Sequence, residues 1–374
     1  MAKNNVAVLD FGSSKLTLLV GQRAVNNNFN IIASSDVDYA GFMDHEFIEE
    51  ELLASNIAEC ISDVEDSLNR RIDKLYIGVP SEFCQVMNKQ LSKTFPKKTK
   101  LTEKIIDSLF VDADDNVISN THSVINISPL NFELDETNIV SDPIGAFCKT
   151  IIVNTCFVMA DNRFISLVGR ILKSLKISNV EYVCSTLAQG GYLLNDDIRN
   201  HGALFVDCGY ITTTVAYFKG DGITELRSFS LGGGQITAQL SESLKEPFSV
   251  AEQVKQKLLI SVRATGLDNY EVIRGNKLDQ IPMVSANEIA LSEIDEIIKQ
   301  IKMEIETFEE LPNDYETLYL TGGGLGYLKG IKFYLSRAFG RKVELLCPEP
   351  LKLRKPDLSS AISLLDASLK MEEN

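Results

Sequence analysis

Residues that build metal centres and disulfide frameworks are scarce in this chain or wrongly spaced for those roles. Its three histidines lie far apart, at His45, His122 and His201, which argues against a histidine triad or a histidine-based metal site. The seven cysteines are odd in number and include no Cys-x-x-Cys pair, which argues against a disulfide framework and a zinc site. We therefore expect chemistry that depends on carboxylates, hydroxyls and backbone groups.

Positive charge and long apolar runs are scarce as well. The chain has 37 Lys and Arg residues against 52 Asp and Glu residues, and its net charge of -15 argues against a nucleic-acid or anionic-membrane surface. No apolar run approaches the ~20 residues that a membrane span requires. The first five residues lack the apolar core of a signal peptide. We expect a cytosolic protein.

Apolar sequence is nevertheless abundant enough for two domains. The chain has 374 residues, of which 44% are hydrophobic, and this length exceeds what one core usually serves. A nucleotide remains compatible with the acidic balance, because backbone N–H groups and a magnesium ion can bind phosphates inside an acidic protein.

One short phrase occurs twice, as VLDFGSSK at residues 8–15 and as FVDCGYIT at residues 205–212. Each copy is an apolar strand that ends in an aspartate and a glycine, and a second apolar strand follows each. Glycine permits a tight turn whose N–H groups point at an anion, and the aspartate can hold the waters of a magnesium ion. One copy alone would be an ordinary hairpin turn. Two copies predict two facing hairpins that clamp a phosphate chain, with hydroxyl and ammonium donors from Ser13, Ser14, Lys15, Thr212 and Thr213.

Two glycine clusters lie elsewhere in the second half of the chain. Gly322, Gly323 and Gly324 follow an apolar strand and precede a helix-like stretch at 327–339, and residues 232–234 precede another helix. Glycines without side chains suit a nucleoside packed on backbone, although a triple glycine alone is more typical of a flexible turn.

The hydrophobic pattern predicts an α/β organisation. Three strands at 6–40 and a helix at 47–72 precede a block at 75–158, which we interpret as a small inserted α+β unit with a helix at 102–110. A helix at 163–175 and a strand at 179–183 return to the main body. The second lobe begins with a helix at 185–194, and residues 238–308 are expected to be a helical and polar excursion, with helices at 249–259 and 286–311. A closing helix is expected at 358–369.

The order of these features resembles the actin-like ATPase superfamily over essentially the whole chain. Within it, residues 9–15, Asp142-Pro-Ile-Gly and Gly233-Gly-x-Ile-Thr resemble the bacterial cell-division family FtsA, and the type IV pilus family PilM has a similar layout. The resemblance implies two lobes with duplicated ribonuclease H-like cores. The implied domains are 1–78 with 160–183 for the first core, 79–159 for its insertion, 184–236 with 312–374 for the second core, and 237–311 for a partner-binding subdomain.

The resemblance also implies ATP and Mg²⁺ between the lobes. Asp10 and Asp207 would order magnesium-bound water, and Ser185 falls near the place where relatives have a Gln or Glu that orients the attacking water. Glu252 and Lys255 would meet the ribose and base, although their spacing alone is more typical of a solvated helix face. The phosphates would be held by Gly12, Ser13, Ser14, Lys15, Gly209, Tyr210, Thr212 and Thr213, and the nucleoside by Gly233, Gly234, Gly322, Gly323 and Gly324.

Implied partners are further copies of the chain in filaments, other division proteins, and the tubulin-like division protein FtsZ, which would bind the second-lobe subdomain. Recruitment to the division site at the inner face of the membrane follows from the same resemblance. Members of the family usually end in a basic amphipathic helix, whereas the segment at 361–369 has the pattern of a packed closing helix.

The second hairpin departs from the family pattern. Tyr210 and Ile211 replace glycines, and a positive φ at either would cost about 1–2 kcal/mol. Thr214 replaces an acidic residue, and Ser185 is a poor water-orienting group. We therefore expect nucleotide binding with very slow hydrolysis, or a pseudo-ATPase adaptor that binds a peptide partner without nucleotide. A small-molecule kinase is a third hypothesis, which is disfavoured because the sequence offers no additional acidic base for the cleft.

Overall fold

A computed structural model describes residues 5–24, 28–114, 119–309, 317–349 and 355–373. The first lobe is built on a five-stranded sheet formed by Val6–Phe11 (β1), Lys15–Arg23 (β2), Phe29–Asp38 (β3), Lys74–Val79 (β6) and Asn179–Cys184 (β11). The spatial order is β11-β6-β1-β2-β3, and the central strand β1 is parallel to β6 and antiparallel to β2. Every residue of β1 is buried, as its continuous apolar run predicts. A short hairpin formed by Phe42–Met43 (β4) and Glu46–Phe47 (β5) follows β3.

Helices cover both faces of this sheet. One face packs against Glu50–Leu68 (α1) and Asn162–Ser174 (α3) through a shared apolar core. Helix α1 is shorter than the predicted 47–72 because Asn69 adopts a left-handed conformation (φ 49°) that ends it. The other face packs against Ser185–Leu193 (α4) and the last helix of the chain, Ser359–Met371 (α10).

The predicted insertion is a four-stranded antiparallel sheet with one helix. Its elements are Cys84–Lys100 (β7), Glu103–Asp114 (α2), His122–Leu134 (β8), Asn138–Val140 (β9) and Phe147–Asp161 (β10). The order is β7-β10-β8-β9, so β7 is an edge strand. This edge carries Pro96 and five lysines, at positions 89, 93, 97, 98 and 100. Lysine and proline on an edge oppose pairing with another sheet.

The second lobe repeats the plan of the first. Its sheet contains Ala203–Cys208 (β12), Thr213–Lys219 (β13), Gly222–Phe229 (β14), Thr317–Thr321 (β17) and Lys342–Leu345 (β18), in the order β14-β13-β12-β17-β18. Strand β12 is antiparallel to β13 and parallel to β17, as β1 is to β2 and β6. Two shorter helices, Asp196–His201 (α5) and Ile331–Phe339 (α9), belong to this part of the chain.

The excursion from the second sheet is helical, as predicted, but it also contains a hairpin. Its helices are Gly233–Leu244 (α6), Phe248–Lys257 (α7) and Met283–Glu306 (α8). Strands Asn269–Arg274 (β15) and Lys277–Pro282 (β16) lie between α7 and α8 and form an antiparallel hairpin that was not predicted. Helix α8 ends before the predicted residue 311, and residues 310 and 311 lie outside the described residues.

Helix α10 corrects one predicted domain boundary. Residues 312–374 were assigned to the second core, yet Ile362, Leu365 and Leu369 are buried against the first sheet together with Val8 and Tyr76. The prediction that this segment is a packed helix is confirmed. In the part of the chain that the structure describes, we find no helix with the length and apolar character of a membrane span.

A further apolar core joins the insertion to the second lobe. Leu130, Cys156 and Val158 of the insertion pack with Phe205 and Phe218 of the second sheet, and all five are buried. Polar contacts follow the same seam: the Asn88 side chain donates to the Thr224 carbonyl oxygen at 2.9 Å, and the Asp221 N–H donates to the Pro129 carbonyl oxygen at 3.0 Å. The inserted unit therefore contacts both lobes.

Candidate functional site

The repeated phrase forms the same turn in both lobes. The Gly12 N–H donates to the Lys15 carbonyl oxygen at 2.9 Å, and the Gly209 N–H donates to the Thr212 carbonyl oxygen at 2.9 Å. Asp10 lies opposite Thr17 in the β1–β2 ladder, and Asp207 lies opposite Thr214 in the β12–β13 ladder. The two turns are structural equivalents, each at the end of the central strand of its sheet.

These turns meet at a cavity of about 800 Å³ between the lobes. Its volume is within the usual range of ligand pockets. Most of the predicted site residues line it: Asp10, Gly12, Ser13, Ser14, Lys15, Ser185, Asp207, Gly209, Tyr210, Thr212, Glu252, Lys255, Gly322 and Gly323. The fold thus brings together residues that are more than 300 positions apart in the sequence.

Asp10 is held by hydroxyl groups from two helices. Its Oδ1 accepts hydrogen bonds from Ser360 Oγ at 2.7 Å and from Ser185 Oγ at 3.2 Å. Burial raises the pKa of this carboxyl group to about 6; the two hydroxyls act in the opposite direction, and the charge of Asp207 adds to the rise. Ser185 is therefore a partner of the Asp10 carboxylate.

Gln189, one helical turn after Ser185 on α4, is a site residue that the sequence interpretation missed. Its Nε2 donates to Asp207 Oδ2 at 2.7 Å, and the residue is 1% exposed while lining the cavity. Burial raises the pKa of Asp207, and this hydrogen bond partly offsets the rise. Helical spacing from Ser185 was the signal that could have found Gln189.

Glu252 and Lys255 form a partly buried ion pair at the cavity wall. Lys255 Nζ lies 2.9 Å from Glu252 Oε2, which also accepts a hydrogen bond from Thr237 Oγ1 at 2.6 Å. The ammonium group lies over the Tyr210 ring, 4.8 Å from its centroid. Lys255 is only 5% exposed, so its environment is that of a site residue and not of a solvated helix face.

Four predicted site residues lie behind the cavity wall. Gly233 and Gly234 donate their N–H groups to the Gly209 and Tyr210 carbonyl oxygens at 2.9 and 2.7 Å, and Gly324 donates to the Cys208 carbonyl oxygen at 2.8 Å. The fourth is Thr213, whose hydroxyl donates to the Leu231 carbonyl oxygen at 2.6 Å while the residue is fully buried. These groups support the second turn from the side opposite the cavity.

The second turn is free of the strain that its sequence suggested. Neither Tyr210 nor Ile211 is among the described non-glycine residues with positive φ, so the predicted conformational cost does not arise. The Ile211 N–H instead donates across the cleft to Ser13 Oγ at 3.0 Å. This hydrogen bond joins the two turns directly across the cleft.

Glu82 is a second residue that the sequence interpretation missed. It lines the cavity, is 4% exposed, and accepts hydrogen bonds from Ser228 Oγ of the second lobe at 2.8 Å and from the His45 N–H at 3.2 Å. Glu82 therefore adds a carboxylate to the cleft that the sequence interpretation did not include, and both of its oxygens accept hydrogen bonds. The sequence around Glu82, two residues after Pro80, contains no motif that would have indicated a site residue.

The carboxylates of the cleft suit a hydrated magnesium ion. Among the described residues, no group of three or more His, Cys, Asp or Glu side chains could hold a metal directly. Asp10 is buried and Asp207 is partly buried, both line one cavity, and desolvation disfavours the charged form of each. A cation bound through water would compensate both charges, and magnesium typically uses few protein ligands.

Comparison with known proteins shows similarity to one family along the chain. A family model described as "Cell division protein FtsA" matches residues 204–363, and one described as "SHS2 domain inserted in FTSA" matches residues 84–159. The cell division protein FtsA of Staphylococcus epidermidis is 24% identical over 379 residues, which cover 100% of this chain and 81% of the relative. This chain is an FtsA-like protein. The SHS2 match coincides with the inserted four-stranded sheet.

Solved structures confirm the actin-like fold of this FtsA-like chain. A PilM–PilN type IV pilus biogenesis complex matches with TM-score 0.64 and 16% identity, covering 98% of this chain and 99% of that one. MreB5 of Spiroplasma citri bound to AMPPNP matches with TM-score 0.56 and 11% identity over 99% and 97% of the two chains. A MamK double helical filament matches with TM-score 0.51 and 12% identity over 99% of each chain.

Proposed function

We propose that this chain binds ATP with Mg²⁺ between its lobes and acts as a polymerising scaffold of bacterial cell division that hydrolyses ATP very slowly or not at all. The observation that carries the proposal is the pair of equivalent turns, which bring Asp10 and Asp207 to one cavity. The FtsA relatives supply the division role, and the solved MreB5 structure contains a nucleotide in the same fold.

The residues of the cavity divide by chemistry into two regions. The carboxylate region, with Asp10, Asp207 and Gln189, would hold the hydrated cation and the terminal phosphates. The region around Tyr210 and Lys255 offers an aromatic face and an ammonium group, which suit a ribose and base. Lys15, Lys329 and Lys355 also line the cavity and would offset phosphate charge.

Slow hydrolysis follows from the groups beside the expected phosphate position. Gln189 Nε2 is held by Asp207, and the Ser185 hydroxyl is held by Asp10. These hydrogen bonds commit the Ser185 hydroxyl proton and one Nε2 proton of Gln189 to carboxylates, which restricts how either side chain could orient a water molecule. Loss of a water-positioning group typically lowers a rate by ~10²–10⁴.

Titration calorimetry of the purified protein with ATP and MgCl₂ tests the nucleotide proposal. We expect a micromolar dissociation constant for the wild type and loss of detectable binding for Asp207→Ala. Asp197→Ala, which removes an exposed carboxylate of the same lobe, is the matched control and should bind as the wild type does. A wild type that binds no ATP at millimolar concentration would overturn the proposal.

One feature favours a second candidate, a nucleotide-independent adaptor that binds peptide partners. The Ile211 N–H donates across the cleft to the Ser13 hydroxyl oxygen, and Ser13 is one of the expected phosphate-binding residues. A nucleotide whose phosphates lie between the two turns would have to break this hydrogen bond. The calorimetric test separates the two candidates, because the adaptor requires no ATP.

Polymerisation is supported by the FtsA resemblance and by the MamK filament with the same fold. We expect sedimentation and negative-stain electron microscopy to detect filaments with MgATP and fewer filaments with the Asp207→Ala variant. Absence of assembly in the wild type at high protein concentration would contradict the polymerising scaffold without affecting the nucleotide site.

The hairpin β15–β16 is the proposed contact for the tubulin-like protein FtsZ. Ile273 and Leu278 face each other across the hairpin and are 59% and 66% exposed, which is unusual for large apolar side chains in an adjacent pair. We expect Ile273→Asp to abolish co-sedimentation with FtsZ polymers. Ile139→Asp, at an apolar residue of the insertion that is 68% exposed, is the matched control and should retain it.

A further inference from the structure

The first two residues of helix α10 contact one lobe each. Ser360 Oγ donates to Asp10 Oδ1 at 2.7 Å, at the end of the central strand of the first sheet. Ser359 Oγ and Thr321 Oγ1 are hydrogen-bonded at 2.6 Å, at the end of strand β17 in the second sheet. The start of α10 thus joins both halves of the cleft, although it lies 350 residues from Asp10 in the sequence.

The surroundings of Asp10 leave little freedom for its carboxyl group. Oδ1 lies between the Ser185 and Ser360 hydroxyls. Gly78 on the neighbouring strand provides the space, because a Cβ atom there would lie 2.7 Å from Ser185 Oγ and 2.9 Å from both Asp10 Oδ1 and Leu364 Cδ2. The orientation of Asp10 therefore depends on hydroxyl groups carried by α4 and α10.

The rest of α10 is attached firmly to the first lobe. Leu364 and Leu365 are fully buried against the sheet. At the far end, Asp366 pairs with Arg23 at 3.1 Å and Glu372 pairs with Lys74 at 2.7 Å. Because these contacts hold the remainder of α10 in place, a change at the cleft would act on its first turn.

We propose that Ser360 is a positioning residue for Asp10 and that it couples occupancy of the cleft to helix α10. The inference rests on the proposed binding of ATP with Mg²⁺. Ser360 would orient the Asp10 carboxylate, so that it offers a fixed acceptor to the waters of a bound magnesium ion. Binding of MgATP would conversely stabilise the N-terminal end of α10.

Three serine variants separate positioning from general stability. Ser360→Ala removes the donor to Asp10, and Ser360→Thr retains a hydroxyl at the same position. Ser363→Ala is the matched control: Ser363 lies one turn later on α10, is fully buried, and is the one described residue whose buried side-chain oxygen has no hydrogen-bond partner. Its removal alters the helix without altering the site.

The first readout is the ratio of ATP dissociation constants measured with EDTA and with MgCl₂. We expect this ratio to be roughly tenfold smaller for Ser360→Ala than for the wild type, because the variant lacks one hydrogen bond to a charged group. Ser360→Thr should restore most of the ratio, and Ser363→Ala should equal the wild type. A purely structural role would not change the magnesium dependence.

The second readout is hydrogen exchange of the α10 amides with and without MgATP. We expect MgATP to slow exchange in the first turns of α10 in the wild type and in Ser363→Ala, and to have much less effect in Ser360→Ala. Equal magnesium dependence and equal protection in the wild type and Ser360→Ala would overturn the inference while leaving the proposed function intact. A wild type that binds no ATP would overturn both.

Discussion

The Asp10 carboxyl group occupies a position where its negative charge is unfavourable. Burial raises its pKa from 3.8 to about 6, so the folded state binds this proton more tightly than the unfolded chain does. Stability that depends on the protonated form is therefore present below pH 4 and is lost as the pH rises through 6. Asparagine has nearly the same shape as aspartate and carries no charge, so a protein with asparagine at position 10 should not lose stability as the pH rises.

We accordingly expect Asp10→Asn to raise the free energy of unfolding at pH 7.5, without nucleotide or Mg²⁺, by about 3 kcal/mol. The gain should shrink as the pH falls below 6 and disappear well below pH 4, where Asp10 is protonated in both the folded and the unfolded state. Urea unfolding of the two proteins at several pH values measures the difference. An equal or lower stability of the variant at pH 7.5 would show that the Asp10 charge is already compensated.

At the same scale, the sequence revealed the residues that share a local pattern. Asp10 and Asp207 were predicted because each ends a strand before a glycine turn, and both line the cleft. Ser360 and Glu82 could not be predicted, because only the tertiary fold brings them to the cleft from segments without a motif. Pairing of the Ser13 hydroxyl with the Ile211 N–H was equally invisible, since it depends on how closely the lobes approach.

Helix α4 offers the clearest test at the scale of one element, because two adjacent glycines in it have different surroundings. A Cβ atom at Gly190 would overlap the fully buried ring of Phe218 in the second sheet. A Cβ atom at Gly191 would meet nothing within 4 Å. The first glycine permits close packing of the helix on the sheet, and the second is exposed.

We expect Gly190→Ala to lower the free energy of unfolding by about 1–3 kcal/mol through overpacking. Gly191→Ala should instead raise it by about 0.5–1 kcal/mol, because alanine is the better helix former. Denaturant unfolding of both variants beside the wild type provides the measurement. If Gly190→Ala were as stable as Gly191→Ala, α4 would not pack on the second sheet as described.

Elements were predictable where the hydrophobic period was long. Strands β1, β2, β3 and β11 and helices α3 and α4 lie within a few residues of their predicted positions, whereas β6 was not predicted as a strand of this sheet. The hairpin β15–β16 was missed because the apolar residues of its strands form neither a continuous run nor a clean alternation. Helix α10 was predicted as a helix, but its partner sheet depends on contacts that no local pattern specifies.

For the whole molecule, the seam between the insertion and the second lobe is the feature with the largest consequence. Leu130 is buried in this seam, and a Cβ atom at Gly222 of the second lobe would lie 2.7 Å from its Cδ2 atom. The insertion should therefore unfold together with the second lobe. We expect a single calorimetric transition for the wild type.

Leu130→Asp places a charge in this seam, and we expect it to split the transition in two and to cost more than the about 2–5 kcal/mol of a buried Leu→Ala change. Ile139→Asp changes an exposed residue of the same inserted sheet and should leave one transition at nearly the wild-type temperature. Two transitions already present in the wild type would mean that the seam does not couple the units.

The lysine-rich edge of β7 gives the molecule a segregated charge distribution. Strand β7 carries five lysines and no acidic residue, in a chain whose net charge is -15, so the remainder carries -20. The charge of the protein is therefore unevenly distributed, with the β7 edge as a local positive pole. At physiological ionic strength the Debye length is about 8 Å, so this pole acts only on surfaces that are already close. Two molecules in dilute salt would orient each other before they touch, whereas in concentrated salt they would collide at random.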